Sequence, residues 1–256
     1  MGWNSVKTSF AMVILMAGAA MGGDMLPLLN KTQRGDWGAV GAVNMAGFKV
    51  KVSCTGTLIA PDLVLTAAHC VGDPTSGKAR HFVAGLTLDR YLAHAKSTQV
   101  MRHPAYDLVS GNRQFRYDIA LIRLDHPIIT DQLTPLPVSD GLRAQAGPFA
   151  IVGYSRFRPY LLSGRFDCNR TNPAQADTLI LDCPVISGNS GAPVLVQTPQ
   201  GWRVVAVVTA TIGPAAKARS LAAAIPDWVL IEAAKSRARH KTTQGSATKQ
   251  LRSVQN

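Results

Sequence analysis

No run of apolar residues in this chain is long enough for an ordinary membrane-spanning helix. Neither Cys-x-x-Cys nor His-x-x-x-His spacing occurs, so a zinc site has no support even though His69 adjoins Cys70. No pattern repeats at a solenoid period. Beyond Glu232 there is no acid at all, while Lys235, Arg237, Arg239, Lys241, Lys249 and Arg252 carry about half of the net charge of +12. What remains is a globular composition, 46% hydrophobic and 16% charged, in a chain of 256 residues. That length suits one sizeable core or two smaller ones sharing an interface.

Both ends look different from the middle. Lys7 precedes the apolar stretch Phe10 to Met16, then the small residues Ala17 to Ala20 and Met21-Gly22-Gly23. A basic start, a short apolar centre and a small-residue cleavage region predict a secretory signal peptide over residues 1–23, cut near Ala19 to Gly23. An uncleaved anchor is disfavoured by the shortness of the apolar run. Residues 24–35 follow as a short N-terminal extension. At the other end, residues 237–256 are basic and rich in Ser, Thr and Gln, and are read as a disordered tail. Its charge offers attraction to an anionic surface, whether membrane, cell-wall polymer or nucleic acid, against the simpler reading of a solvated terminus. The four cysteines fall into two sequence-local pairs, Cys54 with Cys70 and Cys168 with Cys183. An exported protein would form two disulfides from them.

Between the ends, short β-rich runs alternate with Gly, Pro, Asn and Asp. They include Phe48–Val52, Thr57–Ile59, Leu63–Leu65, Ile119–Ile122, Pro148–Val152, Thr178–Leu181, Ala192–Val196 and Trp202–Val208. This pattern predicts an all-β barrel or sandwich. One helix is expected, over about 227–236, with Pro226 at its start, Asp227 early and Lys235 late. The Pro-flanked stretch from Asp125 to Val138 reads as a connector between two halves.

Three short motifs carry chemistry. His69 lies in Thr66-Ala67-Ala68-His69-Cys70, Asp118 in Tyr117-Asp118-Ile119-Ala120-Leu121, and Ser190 in Ser187-Gly188-Asn189-Ser190-Gly191. A serine hydroxyl becomes a useful nucleophile when an imidazole takes its proton and a carboxylate fixes that imidazole's tautomer. Asp118 heads an apolar strand, where burial is costly without a partner, and His69 is the natural one. Asp125 is the nearest rival, but His126-Pro127 follows it and marks a turn. The glycines around Ser190 permit a sharp turn and free the amides of Gly188 and Ser190 to face a developing oxyanion.

Together these motifs resemble the chymotrypsin/trypsin family of serine proteases. Cys54-Thr55-Gly56-Thr57-Leu58-Ile59 and Val64 to Cys70 resemble the strand pair that leads to the family's catalytic histidine. Met101-Arg102-His103-Pro104-Ala105-Tyr106 resembles the segment before its aspartate, and Gly153-Tyr154-Ser155 stands where a Gly-Trp-Gly strand often opens the second barrel. The resemblance covers about residues 36–234. It implies two antiparallel six-stranded β-barrels with a C-terminal helix, barrel one over about 36–135 and barrel two over about 136–226.

It also implies a secreted or periplasmic endopeptidase working through an acyl-enzyme. His69 would be the base, Asp118 its orienting partner, Ser190 the nucleophile, and Gly188 and Ser190 the oxyanion donors. Many animal members have an aspartate just before the nucleophile that pairs with a freshly cut N-terminus. Asn189 cannot make that ion pair and is similar instead to bacterial glutamyl-endopeptidase-like members. Pro184 stands where trypsin-like members carry the acid that binds Lys or Arg, and residues 207–211 lack the histidine usual in glutamyl-specific relatives. A pocket walled by Pro184, Thr209, Ala210 and Thr211 is therefore expected to take a small or apolar side chain. No metal or organic cofactor and no specific nucleic-acid partner is expected. A protein or peptide substrate and a monomeric state are. The rival from another class is a trypsin-fold binding protein without activity; a third reading is an envelope-surface binder led by the basic tail.

Overall fold

Apolar β-branched runs punctuated by Gly and Pro fold into two antiparallel β units, seated against each other and strapped by a C-terminal helix. The computed structural model describes residues 25–47, 54–140, 147–173, 177–214 and 217–254, with side chains through Lys241. The expected signal peptide and the expected strand at Phe48–Val52 lie outside the described residues.

The first unit comprises β1 (Val40–Asn44), β2 (Cys54–Ala60), β3 (Leu63–Thr66), β4 (His81–Ala84), β5 (Ala93–Arg102) and β6 (Ala120–Leu124). They close into a barrel in the order β1-β2-β3-β6-β5-β4. Closure leaves no open edge and explains why β2 is buried at all seven positions. Phe82, Leu58, Val64 and Ile122 fill its interior.

The second unit comprises β7 (Phe149–Ser155), β8 (Arg158–Cys168), β9 (Thr178–Leu181), β10 (Pro193–Thr198), β11 (Gly201–Ile212) and β12 (Arg219–Ala224). Its strands run β8-β7-β10-β11-β12-β9 as a six-stranded antiparallel sheet. The expected second barrel corresponds to this sheet, whose outer strands β8 and β9 are brought together by the segment following β8, where Asp182 N donates to Asn169 O and Thr171 N to Ile180 O. The outer strands approach through one bridge, Arg170 with Leu181, through Asn169 to Asp182 hydrogen bonds, and through the Cys168–Cys183 disulfide.

A core that includes Trp37, Leu65, Val152, Tyr154, Val207 and Val229 runs between the two units and under the helix. The N-terminal segment is part of this packing. Leu26 and Leu29 are buried, Leu29 N donates to Leu162 O, and Gly164 N donates to Pro27 O. Asn30 and Gln33 then form a capping box that starts α1 (Lys31–Gly35).

The short helix α2 (Ala68–Val71) follows β3 directly. The C-terminal helix α3 spans Asp227–Val254, so it continues well beyond the expected end at Ser236, and the tail read as disordered is helical through most of its length. Composition underrated two things. Ala, Arg, Lys and Gln are good helix formers, and the tail's charges find partners on the barrel. Asp62, in the β2–β3 turn, receives Ser236 Oγ, Arg123 at 3.3 Å, Arg239 at 3.2 Å and His240 at 3.5 Å. Arg123 also meets Glu232 at 2.9 Å, and Arg237 donates to Ile59 O at 3.2 Å.

Burial alone would push the Asp62 carboxyl up. The hydrogen bonds from Ser236 and Arg239 and the charges of Arg239 and Arg123 outweigh it and hold Asp62 below the ordinary carboxylate range. A carboxyl depressed in the folded state stabilises fully above its unfolded value and loses that contribution as pH falls through the folded one. Protection factors of α3 amides, with the intrinsic pH dependence of exchange divided out, are therefore expected to fall as pH drops below about 4. Asp62→Asn should weaken protection at neutral pH and flatten this acid dependence. An unchanged acid limb in Asp62→Asn would reject the anchor.

Candidate active site

Antiparallel pairing of β3 with β6 sets the first half of the site. Thr66 lies opposite Ala120 in register, so the chain leaving β3 toward His69 passes the chain entering β6 from Asp118. A 3₁₀ turn, Gly111–Tyr117, delivers Asp118 to that point. Asp118 is 3% exposed and uses both oxygens on one residue. Oδ1 accepts the His69 backbone amide at 2.9 Å, and Oδ2 meets His69 Nδ1 at 2.7 Å. The first contact fixes α2 and the second fixes the ring, so His69 Nδ1 carries the proton in this pair and Nε2 faces outward. The Cys54–Cys70 disulfide ties α2 to the start of β2. His69, Cys54 and Cys70 form the one trio of potential metal-ligand atoms among the described residues, but the disulfide occupies both sulfurs.

The second half is the turn from Ser187 to Gly191. Gly191 has φ +81°, and a Cβ there would lie 2.1 Å from Thr55 O and 2.2 Å from Thr66 Oγ1. Only glycine fits that approach, which presses the residue after Ser190 against the strand leading to His69. Thr55 secures the contact. Its amide donates to Ser190 O at 2.8 Å, and its carbonyl accepts Thr66 Oγ1 at 2.7 Å. Its hydroxyl donates to Gly188 O at 2.8 Å and accepts Tyr154 N at 3.0 Å.

Asn189 is 1% exposed and fully engaged: Nδ2 donates to Tyr154 O at 2.7 Å, and Oδ1 accepts Ile186 N at 2.9 Å. An aspartate could not make the first of these bonds. Tyr154 is itself buried, and its hydroxyl donates to Leu86 O on the first unit.

Peptide planarity orients the two amides proposed as oxyanion donors. Ser187 O accepts Arg156 N at 2.8 Å and Asn189 O accepts Ala192 N at 2.9 Å. In a trans peptide the N–H points opposite to the carbonyl, so the Gly188 and Ser190 N–H groups are turned away from those partners. Neither donates a hydrogen bond to another of the described residues. Gly188 has φ +98°, and a Cβ would strike Arg156 N and Ser155 Cα at 2.8 Å. Ser190 is half-buried. Among the described residues its hydroxyl and His69 Nε2 form no direct hydrogen bond; Nε2 lies 3.7 Å from Cys70 Sγ.

A cavity of about 290 Å³ opens beside the pair, lined by His69, Asp118, Tyr106, Gln114, Phe115 and Thr209. Burial, and then the charge of Asp118, push the Tyr106 phenol up, so it stays protonated in the working range. Of the four expected pocket residues, only Thr209 lines this cavity. It sits at a bulge in β11, is 4% exposed and donates to Leu221 O. Thr211 donates to Val185 O at 2.5 Å, which binds β11 to the segment holding the buried Pro184. Ala210 is half-buried between the two threonines. His103 packs on Tyr117 and accepts Ala105 N, a structural role. Sequence reasoning missed Thr55, Thr66, Tyr106, Gln114 and Phe115 as contributors. Thr55, Thr66 and Tyr106 stood inside the motif segments without a part assigned to them, and Gln114 and Phe115 had no such signal.

The model of the trypsin-like peptidase domain matches residues 54–207. The chain belongs to the trypsin-like peptidase family. Among curated relatives it is 34% identical over 114 residues to chymotrypsin-like elastase family member 1 of Macaca fascicularis, covering 41% of this chain and 40% of that protein. It is 34% identical over 140 residues to a trypsin-like protease of Streptomyces glaucescens, covering 53% and 48%. It is 36% identical over 90 residues to tryptase of Mus musculus, covering 33% and 31%. These matches span less than half the length of each relative.

The seam through Thr55 is directly testable. Thr55→Val keeps the shape but leaves Gly188 O and Tyr154 N unpaired, at about 1–3 kcal/mol for each buried group. Chemical denaturation should show a loss of that order, with most of it recovered in Thr55→Ser. Equal stability of Thr55→Val and the parent would contradict the assignment.

Proposed function

We propose that this protein is a secreted or periplasmic serine endopeptidase that cleaves peptide bonds through an acyl-enzyme on Ser190. The observation that carries the reading is the Asp118–His69 pair on one unit, with a Gly-Asn-Ser-Gly turn of the other tied to the same unit through Thr55, its Gly188 and Ser190 amides donating to none of the described residues. His69 Nε2 takes the Ser190 proton as Oγ attacks the substrate carbonyl, then returns it to the leaving amine. Asp118 holds the ring and stabilises the imidazolium. The Gly188 and Ser190 amides stabilise the tetrahedral oxyanion, each worth about 3–4 kcal/mol at the transition state. The His69–Ser190 hydrogen bond forms in the substrate complex, as such contacts tighten on binding.

Two finer features belong to the same proposal. The side chain before the scissile bond is small or apolar: Thr209, the one of the four expected pocket residues on the cavity wall, is neutral, and Pro184, Ala210 and Thr211 carry no charge. Activity needs no N-terminal ion pair, because Asn189, the residue that is similar to glutamyl-endopeptidase-like members, is neutral and its amide already engages Tyr154 O. Residues 26–29 support this, being packed on β8 rather than hanging free. Protein left uncut at Arg34 is expected to match the activity of protein trimmed there; a strict need for trimming would overturn this point.

The second reading, a trypsin-fold binding protein without activity, draws on the lack of a direct His69–Ser190 hydrogen bond among the described residues. A fluorophosphonate probe separates the two. Labelling of the oxidised protein should vanish in Ser190→Ala and fall sharply in His69→Ala. Asp118→Asn should lower kcat by about 10⁴-fold. Folded protein that resists the probe would favour the binding module.

A further inference from the structure

The continuation of α3 beyond Ser236 builds a feature remote from the catalytic cleft. Its residues Arg237, His240 and Lys241 form one wall of a groove of about 340 Å³. The β2–β3 turn forms the second wall and the connector after β6 the third, and the floor is apolar: Ile59, Ile128, Ile129, Leu133, Pro135 and Pro137. No residue of the groove lines the His69 cavity. Volume and lining match those of a small-molecule site, a mostly apolar concavity with a few placed polar groups.

The charges on its lip are one-sided. The nearby acids are already engaged, Asp62 by Arg123 and Arg239, and Glu232 by Arg123 and Lys235. Arg237 donates to the backbone carbonyl of Ile59, which holds the guanidinium at the groove, and neither it nor Lys241 pairs with a carboxylate among the described residues. Two uncompensated cations above an apolar floor are complementary to one kind of molecule. We propose that the groove binds a single-chain amphipathic carboxylate, its alkyl chain on Ile59, Ile128, Ile129 and Leu133 and its carboxylate on Arg237 and Lys241. Guanidinium and carboxylate match as charge-assisted hydrogen-bonding partners, and desolvated alkyl surface supplies the affinity. A cationic amphiphile of equal length would meet like charge.

Isothermal titration calorimetry with decanoate, below its critical micelle concentration and on the full chain, tests this. One saturable site is expected, with octanoate binding roughly tenfold more weakly because two methylenes fewer are buried. Decyltrimethylammonium should bind at least tenfold more weakly than decanoate. Ile129 is 58% exposed and Lys241 is also exposed, so Ile129→Asp and Lys241→Glu leave the fold intact. Each should weaken decanoate binding at least tenfold while fluorophosphonate labelling of Ser190 stays at the parent rate. The proposal is overturned by the absence of a saturable site, by equal binding of the cationic analogue, or by parent affinity in both variants. It is equally overturned by a dimer in sedimentation that buries this groove and that decanoate does not dissociate.

Discussion

Thr55 joins the two halves of the molecule where the reaction would take place. Its amide, hydroxyl and carbonyl hold Ser190 O, Gly188 O, Tyr154 N and Thr66 Oγ1 in four buried or nearly buried hydrogen bonds. The His69–Asp118 pair depends on one unit and the Ser190 turn on the other, so their relation is set by this seam and by the Gly191 approach beneath it. An unpaired polar group here would cost more than any surface contact could restore, since water cannot reach it. The Cys54–Cys70 disulfide flanks the same seam covalently, with Cys54 next to Thr55 and Cys70 next to His69.

The seam also explains why Asn189 suits this chain. A nucleophile turn needs its preceding side chain immobilised if the Gly188 and Ser190 amides are to stay aimed. An aspartate would need a cation to do so. Asn189 does it with one donor and one acceptor, both satisfied inside the fold by Tyr154 O and Ile186 N. In the proposed mechanism the Gly188 and Ser190 amides are aimed by neutral hydrogen bonds and by peptide planarity.

The strands with continuous apolar runs were legible in the amino-acid sequence: β2, β3, β6, β7, β9, β10 and β11 each coincide with an expected stretch. Of those that escaped, β1 and β4 are short, at five and four residues, and the other three share a physical reason. β5 is fully buried at one position only and reads Ala-His-Ala-Lys-Ser-Thr-Gln, half of β12 is alanine, and β8 contains Pro159 and Gly164, so pairing rather than propensity makes them strands. The motifs around His69, Asp118 and Ser190 were legible because their neighbours constrain backbone geometry locally. Thr55, Tyr106 and Phe115 were not, since their roles arise from contacts distant in sequence. The same holds for α3. A polar basic segment looks unable to fold alone, and it is the Asp62 carboxylate, far away in the chain, that gives it a place to dock.

The central claim is that the fold turns Ser190 into an activated nucleophile. Rapid mixing of the oxidised full chain with a p-nitrophenyl ester, followed by intact-mass and peptide mapping at quench, tests it most directly. The account predicts a burst of about one equivalent of nitrophenolate and an acyl group on Ser190. Steady release without a burst and without any adduct on Ser190, or acylation at another residue, would contradict it.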